Sequence, residues 1–216
     1  MSEAERIFFD MLNKKTDVYP SIKIDSATNY ISGIVRKCVT DTRGVDASSF
    51  CYMLAVFSGL SVANYSKKSQ RKTSLTKIES QNGVFWFGDE INRGLFEGPI
   101  SALGSLLAEY SEKPIEDFSK QIHDIVEKNT LCIGKSGVRL WVGTHDPYEE
   151  KEHACSAFKE YLRLLEPFEL ETELYISVFG KALGKAVLNL ENASSHKYDW
   201  LNMSVEVMTF FAHMDI

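Results

Sequence analysis

The chain has 216 residues, 44% hydrophobic and 25% charged, which is ordinary globular composition and enough for one large domain or two small ones. Five prolines and thirteen glycines leave no room for a long linker or low-complexity tail, so residues 1–216 are expected to form a single domain. A net charge of −6 argues against nonspecific binding to nucleic acid or to an anionic membrane.

The first residues, MSEAERI, are acidic and polar, so no secretion signal is expected. The most apolar window, Tyr52 to Ala63, is too short to span a bilayer, which needs about 20 residues. Cys38, Cys51, Cys132 and Cys155 are widely spaced without a CxxC pair, and read as reduced thiols in a cytoplasmic protein.

In chain order, Ile7, Phe8, Met11 and Leu12 predict a short amphipathic helix, broken at Thr16–Pro20. A second helix is expected from Asp25 or Ser26, with Ile31, Ile34, Val35, Cys38 and Val39 as its buried stripe, ending around Asp41–Gly44. Asp46 is the expected N-cap of a third helix running to about Ser66. That helix carries little charge and several small residues (Ala55, Ser58, Gly59, Ala63), so it is expected at the centre of the fold, closely crossed by a neighbour. The basic run Lys67–Lys72 reads as a solvated linker whose cations suit a helix C-terminus.

The pattern then changes. Asn82-Gly83 separates two strand-like runs, which predicts a β-hairpin at about 74–88 with Val84-Phe85-Trp86-Phe87 as the return strand. Asp89 is the expected cap of a short helix, Glu90–Phe96. Pro99 and Pro114 are expected to open the next two helices, the first with Ile100, Leu103, Leu106, Leu107 and Tyr110 facing inward. Asn129–Pro147 is punctuated by glycine. Within it Val138–Val142 is a candidate third strand, and the whole stretch has the length of a functional loop. Three further helices are expected: Glu149–Leu165, Phe168–Leu190 and about Ser195 to Met214. The fold class is mainly α, a compact multi-helix domain with an inserted β-hairpin.

Most candidate sites have a plain structural explanation. Gly180 and Gly184 have the GxxxG spacing of close helix packing, either within the chain or in a dimer, while Lys181 and Lys185 exclude a membrane setting. His145-Asp146 with His153 and Cys155 supplies metal-binding residue types without a metal-binding spacing, so no metal site is expected. Asp89, Glu90 and Asn92 form the densest polar cluster. Adjacent helical residues point about 100° apart, however, and a cap explains Asp89 better than paired acid–base chemistry. No phosphate loop, dinucleotide fingerprint, nucleophile elbow or zinc-protease pattern occurs, and no catalytic residue or cofactor is assigned.

The run Phe87-Gly88-Asp89, followed by Asn92 and Leu95 and preceded by the helix AVFSGLSVA, resembles a group of uncharacterised bacterial cytosolic proteins. The resemblance covers about a quarter of the chain. It implies a hairpin behind a small-residue helix and no particular activity.

Two functional expectations follow. The first is a noncatalytic cytosolic protein acting through protein–protein contacts, as a homodimer or with another protein. The second is a small-ligand or metal-dependent enzyme with a pocket between the hairpin exit and the 129–147 loop, its polar groups being Asp89, Asn92, His145 and Asp146.

Overall fold

The computed structural model describes residues 3–15, 20–68, 75–97, 100–110, 115–133, 145–193 and 200–216. Among these the fold is mainly α. The helices are α1 (Glu3–Lys15), α2 (Pro20–Cys38), α3 (Ala47–Lys68), α4 (Asp89–Phe96), α5 (Ala102–Tyr110), α6 (Ile115–Cys132), α7 (Pro147–Leu165), α8 (Leu174–Ala193) and α9 (Trp200–Ala212). Two small antiparallel hairpins interrupt them: β1 (Thr40–Asp41) with β2 (Gly44–Val45), and β3 (Thr76–Ser80) with β4 (Gly83–Phe87).

Helix α3 is the centre, as its composition predicts. Thirteen of its residues are buried, including an unbroken run from Leu54 to Ala63, and α8 and α9 pack along it. By length and composition it is apolar enough to cross a membrane, contrary to the short window read from the sequence. Yet 67% of that window is buried inside the fold, as in a core helix. Gly59 is what lets α9 come so near: a methyl group there would lie 2.8 Å from Phe211 Cβ and against the Met208 carbonyl. The GxxxG pair on α8 serves the same end. A methyl at Gly180 would sit 2.7 Å from the Ala102 carbonyl oxygen, so these glycines face α5 within the chain.

Several boundaries differ from expectation for identifiable reasons. Pro20 opens α2 five residues early, where its missing N–H costs nothing. The same helix stops at Cys38, because Asp41 accepts the Arg43 amide at 2.7 Å and turns the chain into β1–β2. Glu169, at φ 51°, separates a 3-10 turn at Glu166–Phe168 from α8, so the helix expected from Phe168 begins at Leu174. In α1 the buried residues are Phe9 and Leu12. Ile7, Phe8 and Met11 are exposed, because α1 docks through Phe9, edge-on to Phe168 at 4.9 Å. Ile100, expected inward, is likewise exposed.

The β3–β4 hairpin forms as expected, one residue out of the expected turn. Ser80 pairs with Gly83, so Gln81 and Asn82 are the loop residues and Gly83 opens β4. Its φ of 133° is open to glycine but not to larger residues. Phe85 is buried in this domain's own core, edge-on to Phe210 at 5.8 Å. A third strand-like segment comes from the end of the chain. Trp86 donates its amide to the His213 carbonyl (2.7 Å), and Asp215 donates to the Val84 carbonyl (3.1 Å), bracketing a bridge between Phe85 and Met214. The candidate strand Val138–Val142 lies outside the described residues.

Candidate functional site

Two helix N-termini meet near the first turn of α3. Asp46 caps α3: one carboxylate oxygen accepts the amides of Ser48 (3.1 Å) and Ser49 (3.3 Å), and the other accepts the Ser49 hydroxyl at 2.7 Å. That hydroxyl bond holds the Asp46 carboxyl below its usual ionisation range, against the opposing pull of desolvation. Asp146 caps α7, accepting the Tyr148 amide at 2.9 Å, and Pro147 occupies the first turn. His145, immediately before that cap, is thereby carried onto α3.

The imidazole of His145 stacks on Tyr52 with centroids 4.1 Å apart and planes 5° from parallel. Its Nε2 lies 3.2 Å from Ser49 Oγ and its Nδ1 3.1 Å from Glu150 Oε1. These groups rim a cavity of about 260 Å³ floored by Val39, Met53, Val56, Phe57, Ala154 and Ala157. Tyr52 is 3% exposed, and its hydroxyl is sealed beside Glu150 without a well-formed hydrogen bond. Burial, followed by the charge of Glu150, pushes Tyr52 well above the ordinary phenol range, so it stays a neutral donor.

A serine beside a histidine beside a glutamate has the order of a hydrolytic triad, but the hydrogen bonds oppose that chemistry. Ser49 gives its proton to Asp46, not to His145. The first-turn amides of Ser48 and Ser49, which would otherwise face an oxyanion, are occupied by the same carboxylate. The arrangement suits binding better than nucleophilic attack. Among the described residues no group of three His, Cys, Asp or Glu side chains could hold a metal.

Of the four residues singled out from sequence, His145 lines this cavity and Asp146 acts beside it as a cap. Asp89 and Asn92 lie elsewhere. Their helix α4 meets α3 where Gly94 touches Val62, whereas His145 meets α3 at Ser49. Thirteen residues of helix separate those points by about 20 Å. Asp89 is not a cap either. Gly88 holds the N-cap position with no side-chain hydrogen bond, and Asp89 is an exposed first-turn residue. Glu90 is the buried member of that cluster, 2% exposed and 3.2 Å from Arg93.

His153 and Cys155 face different cavities, as their spacing predicts. Of the basic run only Lys67 and Lys68 are described, and Lys67 is taken up by Asp215 at 2.6 Å and by the Ile216 main-chain oxygen. Ser49, Tyr52 and Glu150 carry no site motif in the sequence. Ser49 and Tyr52 share a helix face at i, i+3, but nothing in the sequence joins them to a histidine 96 positions away. Comparison with protein-family models, with curated proteins and with solved structures finds no match.

Proposed function

We propose that the protein binds a small, largely apolar molecule carrying an amine or hydroxyl head group, in the cavity between α3 and α7. The observation behind this reading is a largely apolar cavity on which Ser49, His145 and Glu150 converge, with the buried Tyr52 hydroxyl set beside Glu150. A few convergent polar groups at an apolar cavity favour a small ligand that hydrogen-bonds to them. Glu150 is the carboxylate in the cavity lining, beside His145 and His153, and it favours a donor head group. A volume of about 260 Å³ restricts the occupant to a small molecule.

The test is a ligand-observed NMR screen of small aliphatic and aromatic amines and alcohols, repeated on Tyr52→Phe and Glu150→Gln. Hits weakened about tenfold by either change support the reading, one lost hydrogen bond to a charged or buried group being worth that much. No hits, or hits indifferent to both changes, would sink it.

Self-association is a second reading, favoured by a β3 edge that is open among the described residues. A noncatalytic cytoplasmic homodimer fits that edge, and four free cysteines fit a reducing compartment.

A further inference from the structure

We infer that two copies of this chain join edge to edge through β3, antiparallel, with the two-fold axis passing through Ile78. The inference rests on the self-association reading and names its surface.

Strand β4 is the middle of the small sheet. Its Trp86 amide and Val84 carbonyl point to the chain's terminal segment. Because backbone groups alternate along a strand, Gly83, Phe85 and Phe87 point the other way, to β3. The register pairs Ile78 with Phe85, Lys77 with Trp86 and Glu79 with Val84. Ile78 therefore spends its backbone groups on β4, while those of Lys77 and Glu79 point outward. Among the described residues nothing pairs with that outer edge.

Three antiparallel registers would join the outward groups of two such edges around Lys77 and Glu79. Centring on Lys77 sets lysine against lysine, and centring on Glu79 sets glutamate against glutamate. Like charges directly opposite one another are destabilising. Only the register centred on Ile78 sets Lys77 against the partner's Glu79 and Glu79 against the partner's Lys77. Each of those pairs exchanges two backbone hydrogen bonds, four in all. The side chains are free to respond, at 45% and 70% exposed. Their present ion pair within one strand, at 2.5 Å, becomes half of a four-charge square.

The same register brings Ile78 against the partner's Ile78 in a non-hydrogen-bonded pair, where side chains approach closest. Ile78 lies on the Phe85 side of the sheet but remains 45% exposed, overhanging the core. Charges on an edge strand ordinarily deter foreign strands. Here the alternation deters others while admitting its own copy. Five-residue strands make a small interface, so a weak dimer is expected, with dissociation in the range of roughly 10 µM to 1 mM.

The test is sedimentation equilibrium of the full chain up to about 1 mM, with amide exchange followed at Lys77 and Glu79. Wild type is expected to dimerise, and those two amides to gain protection with concentration while Ile78 does not. Lys77→Glu and Glu79→Lys should each weaken self-association about tenfold or more, since both charge pairs of the dimer turn repulsive. An equimolar mixture of the two variants should associate again, and so should the double swap. A wild-type chain that stays monomeric overturns both this surface and the self-association reading. A dimer indifferent to the charge reversals, or not restored by mixing, overturns the surface and leaves self-association standing.

Discussion

Tyr52 on α3 and His145 at the start of α7 lie face to face, 4.1 Å apart, and join two segments distant in sequence. The Tyr52 hydroxyl is buried, beside Glu150. Because that hydroxyl lacks a well-formed bond, its presence costs the free protein stability. Tyr52→Phe is expected to leave the free protein as stable as wild type or up to about 1 kcal/mol more stable. Tyr52→Ala removes the ring as well and should cost about 3–5 kcal/mol. Urea unfolding of the two variants checks both.

The caps provide a second comparison. Asp46 and Asp146 hold first-turn amides, whereas Asp89 holds none. Asp46→Ala and Asp146→Ala should each cost about 1 kcal/mol. Asp89→Ala should stay within about 0.5 kcal/mol of wild type. The same unfolding experiment decides, and an Asp89→Ala loss as large as the other two would restore the cap that the sequence suggested.

Glycine substitutions should separate by sign. A methyl at Gly59 collides with α9, so Gly59→Ala is expected to destabilise by about 1–3 kcal/mol or more. At Gly33, in the middle of α2, nothing lies within 4 Å of the added methyl. Gly33→Ala should stabilise by about 0.5–1 kcal/mol through the smaller entropy of the unfolded chain. Melting temperatures of the pair, moving in opposite directions, are the readout.

His213 ties stability to pH. It is buried against Phe87 and donates from Nδ1 to the Thr209 carbonyl at 2.8 Å, and burial lowers its pKa from 6.5 to about 4. The unfolded chain therefore takes up the proton first. The neutral ring's contribution is complete above pH 6.5 and is lost as pH falls towards 4, roughly 3 kcal/mol in all. Below pH 4 both states are protonated and this contribution is flat. The terminal segment beside β4 follows directly from His213, so its amides should lose exchange protection over the same window. His213→Gln should flatten the pH dependence of the urea midpoint between pH 6.5 and 4.

The sequence alone determined what depends on near neighbours. Asp46 three residues before Ser49 is enough to start α3. The uncharged run from Leu54 to Ala63 marks a helix without a solvated face, and burial inside the fold then makes it the core helix. Asn82-Gly83 between two strand-like runs is enough to predict that β3 closes on β4, although the turn itself falls one residue earlier, at Gln81-Asn82. Tertiary structure decided whatever joins segments far apart in the chain. It placed Phe9, and not Ile7 or Met11, on the inner side of α1, because Phe168 was there to receive it. It set His145 on Tyr52 and Ser49, since only the packing of α7 against α3 brings those positions together. It also completed the small sheet with residues 213–215, more than 120 positions beyond β4, because backbone groups on a half-buried strand need partners from wherever the fold supplies them.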